Sequence, residues 1–283
     1  MHDTLDRRYW GACKGRSAID CAWAQAVRSE SDQMTHRYGI VFIAGWSKYY
    51  ETIPLEVLKM KFLRHGAPTC WLELVFNMWL SPRVIRLGRH HSDEVLCARL
   101  GSPAGDAYAD LAVKVNTVDA FDMMITKSPT IDFHTYIDDS GLHNSSSDFD
   151  IAKGTAVEGI QHFFEASRQI NATLNAEKLA IISTHPALAA AVCDELELPR
   201  SVIKPSVSYL GVDESAGAVR RRQRVRLKQQ SRFVAMRKRI RKVRTMRKGF
   251  KGPKEIPLRK INLRCRARWF RTRWTSWIST ATH

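Results

Sequence analysis

Apolar positions along the chain alternate between short continuous runs and helical stripes. Ala18, Cys21, Ala22, Ala24 and Val27 recur at near-helical spacing and predict a helix over residues 17–28. The run Tyr38-Gly-Ile-Val-Phe-Ile-Ala44 is short, β-branched and aromatic, which predicts a buried strand. Thr52 and Pro54 then read as an N-cap and a first-turn proline, opening a helix through Leu55, Leu58, Phe62 and Leu63 that stops near Gly66. A second helix is expected over 68–80, because Ser81 precedes a proline and is thereby steered out of helical backbone. Residues 84–87 form a candidate strand, and the polar stretch 89–94 reads as a loop.

Beyond Gly101-Ser-Pro-Ala-Gly105, the apolar positions Ala109, Ala112, Val113, Val115, Val118, Phe121 and Met124 describe a long amphipathic helix ending before Pro129. Two short strands, 131–137 and 140–143, face each other across an acidic bend. Residues 144–148 form a loop in which Asp148 or Asp150 is placed to cap a helix running to about Ile170. A strand over 178–183, a helix over 186–196 and a last strand over 207–212 complete the pattern. Helices on a small sheet make an α+β protein.

Composition adds size and compartment. A 283-residue chain that is 44% hydrophobic can bury a sizeable core. No run approaches the roughly 18 uncharged apolar residues of a membrane span, and the first residues lack the apolar centre of a signal peptide. The expectation is an intracellular protein, nuclear or cytoplasmic, with no membrane partner. Cys13, Cys21, Cys70, Cys97, Cys193 and Cys265 show no zinc spacing and read as free thiols. His90-His91 has no third ligand nearby and reads as a solvated pair.

Charge changes the picture more. Of the 45 Lys and Arg, 24 fall within residues 220–273 against one acid, Glu255, which leaves 21 bases and 27 acids elsewhere. A slightly acidic body thus carries a strongly basic arm, and such an arm points to a polyanion, most directly nucleic acid. Within the arm, Phe233, Met236, Ile240 and Val243 lie at helical spacing over 220–248. Trp269, Phe270, Trp274 and Trp277 follow, offering flat faces on which bases stack. A thumb-like helix and a disordered basic tail remain open for 220–248; Gly249, Gly252, Pro253 and Pro257 favour poor order over 249–283.

The sharpest chemical feature is Tyr136-Ile137-Asp138-Asp139. Two adjacent carboxylates at a tight turn between apolar strands repel each other unless a cation sits between them. Taken alone, a solvated Asp-Asp turn explains the pair. Magnesium, with its preference for a few carboxylates, water and phosphate oxygens, is the other reading.

The company of this turn decides between them. Gly11-Ala-Cys-Lys-Gly15-Arg16-Ser17-Ala-Ile-Asp20, Trp46-Ser47-Lys48-Tyr49-Tyr50-Glu51, residues 101–106, Tyr136-Ile-Asp-Asp139, Asn175-Ala-Glu-Lys178 and Tyr209-Leu210-Gly211 follow one another over residues 7–213. In order and separation they resemble the palm motifs of reverse transcriptases, particularly those of non-LTR retroelements. The resemblance implies a polymerase palm over 38–213, a partial fingers segment over 1–37, a basic thumb-like segment over 214–248 and a Trp-containing tail over 249–283. It also implies RNA-directed DNA polymerase ancestry, magnesium or manganese as cofactor, and a template–primer of RNA or DNA with deoxynucleoside triphosphates as partners. The oligomeric state stays open.

Carried across residue by residue, Asp138 and Asp139 are the metal-binding and catalytic carboxylates and Lys178 stands near the triphosphate, unless it merely solvates a strand end. Tyr50 crowds the sugar and Gly105 abuts the incoming nucleotide; a half-buried core tyrosine and a helix-initiating glycine are their plain alternatives. Arg16, Tyr209, Leu210, Gly211, Arg237 and Arg241 contact primer or template; for Gly15-Arg16-Ser17 a helix cap with an exposed Arg is the plain alternative. Two departures stand out. The first palm motif normally opens with an aspartate five residues before its aromatic, and that position is Gly45; Ala104 stands where glutamine is common. The chain also starts just before the Gly-Arg-Ser segment, leaving little room for fingers hairpins. Losing one shared carboxylate is expected to depress catalysis severely, which leaves a non-catalytic nucleic-acid-binding remnant as the alternative.

Overall fold

The computed structural model describes residues 5, 7–87, 90–97, 100–103, 105–216, 230–231 and 233–237. The chain divides into two units, Met1–Ser231 and Arg232–His283. In the second, the described residues 233–237 are helical, and the Arg237 guanidinium lies 5.5 Å from the Phe233 ring centroid. Arg241, the rest of the basic arm and its tryptophans lie outside the described residues.

The first unit opens with helix α1 (Ala18–Met34). Ser17 accepts from the Asp20 amide while Asp20 accepts from the Ser17 amide, a reciprocal cap that fixes where the helix begins. Strand β1 (Tyr38–Gly45) follows, then a short turn of helix α2 (Tyr49–Thr52) and helices α3 (Leu55–Arg64) and α4 (Thr69–Leu80). Pro54 and Pro68 sit at the N-cap positions of α3 and α4 rather than inside their first turns. Thr52 is no N-cap: it closes α2, its hydroxyl donating back to the Tyr49 carbonyl at 3.0 Å.

Strands β2 (Arg83–Leu87) and β3 (His90–Leu96) pair as a separate antiparallel hairpin, with Arg83 opposite Leu96 and Leu87 opposite His90. The loop expected over 89–94 is therefore mostly strand. Its sequence, His-His-Ser-Asp-Glu, has no alternating apolar face to announce it, and the cross-strand backbone ladder supplies the order instead. Helix α5 (Ala109–Lys127) leads into strands β4 (Asp132–Tyr136) and β5 (Asp139–Ser146), and helix α6 (Phe149–Gln169) is capped by the Asp148 carboxylate on the Ile151 amide at 2.9 Å. Strand β6 (Ala180–Ser183) and helix α7 (Pro186–Glu195) follow. The single strand expected over 207–212 is instead a hairpin, β7 (Val207–Tyr209) and β8 (Val212–Glu214). Leu210 and Gly211 both take positive φ, 47° and 81°, which turns the chain back within two residues.

The central sheet has the order β4-β5-β1-β6 and is antiparallel throughout. Its middle strand explains the unbroken apolar run. Ile40, Phe42 and Ala44 enter the main core under α5 and α6, while Val41 and Ile43 point to the opposite face, where Ala22 of α1, Tyr209 and Ala216 cover them. Helix α5 is buried on nearly every side, more so than an amphipathic surface helix. In the main core, Trp46 stacks on Phe163 at 6.4 Å and 7° and on Phe121 at 5.8 Å and 16°, tying the end of β1 to α5 and α6. The segment before α1 runs along the β4 edge: the Thr135 amide donates to Tyr9 and the Gly11 amide to Thr135, at 2.9 and 2.7 Å. That edge is thereby blunted. Among the described residues, no helix is long and apolar enough to cross a membrane.

Candidate active site

The β4–β5 hairpin closes on the pair Tyr136–Asp139, leaving Ile137 and Asp138 as its two turn residues. Ile137 takes φ 61°, a region a β-branched residue avoids at a cost of order 1–3 kcal/mol. The turn holds the two carboxylates at the sheet end, next to the last residue of β1: Gly45 lies directly across from Asp139 in the ladder, and the Trp46 amide donates to the Asp138 carbonyl at 3.3 Å.

A third segment closes the site. The Asn175 amide donates to the Gly45 carbonyl at 2.8 Å, and the Lys178 amide donates to the Asn175 carbonyl at 3.0 Å, so the Asn-Ala-Glu-Lys turn is hung from Gly45 itself. The Asn175 side chain accepts from the Glu177 amide at 3.0 Å and stiffens that turn. Lys178 thereby reaches both carboxylates: its Nζ lies 3.1 Å from Asp138 Oδ2 and 2.8 Å from Asp139 Oδ1. Burial pushes the Asp139 pKa up and Asp138 adds to the push, against the opposing pull of Lys178. Burial also acts to lower the Lys178 pKa, yet the hydrogen bonds and charges of Asp139 and Asp138 outweigh it and raise the value. The ammonium is thus held charged between the two carboxylates.

The donor set does not fit a two-magnesium centre. Gly45 offers no side chain, Asp138 Oδ2 and Asp139 Oδ1 are bridged by Lys178, and among the described residues no group of three or more His, Cys, Asp or Glu is arranged to hold a metal.

Tyr50 lies on α2 beside this hairpin. Its hydroxyl donates to Asp110 at 2.8 Å; burial first, then Asp110, and then the charges of Asp138 and Tyr136 hold its proton on. Strand β1 ends at Gly45, and α2 presents Tyr50 partly buried and Glu51 exposed. The glycine-containing segment docks on this same turn through a residue that sequence reasoning passed over. Gly101 and Ser102 donate to Ile53 and Tyr50 carbonyls at 2.9 and 2.8 Å. A Cβ on Gly101, at φ 79°, would lie 2.3 Å from the Tyr50 carbonyl oxygen. Gly105 also has positive φ, 88°, but faces open space, so the close backbone approach belongs to Gly101.

Arg16 is used internally: its Nη1 donates to the carbonyls of Arg7, Arg8 and Trp10 at 3.2, 2.9 and 2.7 Å. Tyr209 is buried against the sheet and meets the His134 ring edge-on at 5.4 Å, while Leu210 is partly buried and Gly211 exposed at the hairpin tip. The structure therefore gathers Asp138, Asp139, Lys178 and Tyr50 at one end of the sheet. Tyr209 lies on the opposite face of the sheet, where the charge of Asp139 still acts on its hydroxyl, and Arg16 belongs to the segment before α1.

No family model matches the chain, and no curated protein matches it in sequence. Solved structures do. Apo telomerase from Candida tropicalis, lacking its C-terminal domain, superposes with TM-score 0.51 at 10% identity, over 77% of this chain and 42% of that one. Telomerase from Candida albicans, solved with a fragment of telomeric RNA, gives TM-score 0.45 at 12% identity over 71% of this chain and 34% of that one. The chain thus spans less than half the length of the telomerase chains it matches. Together with the antiparallel sheet, its covering helices and the Asp138–Asp139 hairpin, the first of these superpositions gives the chain a reverse-transcriptase-like fold.

Proposed function

We propose that this chain is a reverse-transcriptase palm of retroelement type that binds nucleic acid and does not itself join nucleotides. The observation that carries the reading is the ladder pair Gly45–Asp139: a polymerase centre needs a carboxylate facing the hairpin there, and the residue present has no side chain. Two carboxylates without the third leave the charge that develops on a transferring phosphoryl group poorly stabilised. The basic segment 220–273 supplies the affinity, through phosphate neutralisation that weakens as salt rises.

Primer extension and filter binding on the same preparation test this. The full chain is expected to retain a primed RNA or DNA template on the filter, with affinity falling steeply as salt rises, and to add no deoxynucleotide in magnesium or manganese. Deletion of residues 220–283 is expected to flatten the salt dependence. Binding unchanged by that deletion would remove the role given to the arm.

The rival reading is a working polymerase in which Asp138 and Asp139 take magnesium or manganese, Tyr50 selects the deoxyribose sugar and Lys178 serves the triphosphate. It is favoured by the placement of Tyr50 within electrostatic reach of Asp138. Extension that disappears in Asp138→Ala would establish it.

A further inference from the structure

Two neighbouring carboxylates at the end of a sheet need a positive partner, and the chain provides one. We propose that the Lys178 ammonium is a built-in counter-ion that occupies the cation position between Asp138 and Asp139, and that Gly45 is the opening that lets it in. The inference deepens the palm reading by assigning that centre's cation to the protein itself.

The argument is steric as well as electrostatic. A Cβ placed on Gly45 would lie 2.5 Å from Lys178 Cδ, 2.9 Å from Asp139 Oδ1 and 3.2 Å from Lys178 Nζ. Carbon atoms in contact stay about 3.5–4.0 Å apart, so any side chain at this position displaces the lysine stem. The stem runs through the volume that a residue at 45 would fill, and the head then lands within hydrogen-bond distance of both carboxylates. The same backbone arranges the delivery: Gly45 accepts from Asn175, and Asn175 accepts from the Lys178 amide, so the glycine that vacates the space also anchors the turn that fills it.

Two consequences follow from an ammonium in that place. It offsets one of the two carboxylate charges without any dissociable ligand and sits against both groups, so a divalent ion must evict a tethered competitor before it binds. Positions 45 and 178 are also coupled: a carboxylate restored at 45 alone meets the lysine stem, and it gains a clear path to a metal only when the lysine is shortened as well.

Manganese binding, followed by loss of the free-ion paramagnetic resonance signal without nucleotide or nucleic acid, tests this on the full chain. The wild type is expected to bind Mn2+ at least tenfold more weakly than Lys178→Ala, with Gly45→Asp/Lys178→Ala tighter still. Lys178→Arg keeps the charge and is expected to stay as weak as the wild type, which separates loss of the counter-ion from a general loosening of the site. Circular dichroism on each variant establishes that the fold is kept; if Lys178→Ala unfolds, Gly45→Ala, which displaces the same stem, is expected to show the manganese gain in its place. Wild-type binding as tight as that of a folded Lys178→Ala or Gly45→Ala would overturn the proposal. That result would leave the palm reading standing, since primer extension and nucleic-acid retention are measured separately.

Discussion

The face of the sheet away from the main core carries a buried histidine whose ring has no hydrogen-bond partner among the described residues, and stability is expected to depend on pH through it. His134 lies on β4, 8% exposed, and neither ring nitrogen has a hydrogen-bond partner among the described residues. Across the ladder is Gly141, where a Cβ would come within 2.6 Å of the imidazole. Tyr209 caps the ring edge-on, and the charged or titratable neighbours are Arg28, paired with Asp132, and His143, bonded to Asp32 at 2.7 Å. Burial above all, then Arg28 and His143, lowers the His134 pKa to about 3.

An unfolded histidine titrates near 6.5, so between 6.5 and 3 the unfolded chain takes up a proton that the folded chain refuses. The native state is therefore at full strength above pH 6.5 and weakens as pH falls, by about 1.4 kcal/mol per unit once well below it. From pH 7 to pH 5 this amounts to about 2 kcal/mol. Urea unfolding at pH 7, 6 and 5, followed by fluorescence of the buried Trp10, Trp46 and Trp79, reads it directly. His134→Phe keeps a flat ring, carries no proton, and is expected to lose that slope. Equal slopes in the two proteins would refute the assignment of the pH dependence to this residue.

Other expectations concern single contacts. Gly101→Ala forces a methyl against the Tyr50 carbonyl in a left-handed backbone and should cost well over about 2 kcal/mol, whereas Gly105→Ala, strained but unobstructed, should cost about 1–2 kcal/mol; paired thermal melts check the difference. Phe163→Ala removes the ring stacked on Trp46 and Phe121 and should destabilise by about 3–5 kcal/mol in urea titration. Arg16→Ala should lower stability by about 1–2 kcal/mol, reflecting three lost carbonyl contacts, with little change in nucleic-acid retention on filters.

Local signals carried far along this chain. The apolar run at 38–44, the Asp148 cap and the acidic bend at Asp138-Asp139 each depend on a few adjacent residues, and the structure places strand, helix start and hairpin where those residues put them. What escaped depends on distant partners. The strand His90–Leu96 is ordered by pairing with Arg83–Leu87 and lacks an apolar rhythm of its own. Leu210, a γ-branched residue at φ 47°, gave no warning of the turn that splits the last strand into a hairpin; Gly211 beside it was the available signal. At the site, the missing carboxylate at Gly45 was legible from motif spacing. That Lys178, 39 residues beyond Asp139, would reach through the space left by Gly45 was not, because it requires the register of β1 on β5 and the hang of the Asn175 turn. Gly101 was passed over in favour of Gly105 for the same reason, since only the fold shows which glycine meets the Tyr50 backbone.

The most direct measurement is single-nucleotide primer extension on an RNA template in magnesium and in manganese, with the full chain and its Asp138→Ala variant side by side. A palm whose carboxylates face Gly45 and are already bridged by Lys178 predicts no product above background from either protein. Extension by the wild type that vanishes in Asp138→Ala would contradict it.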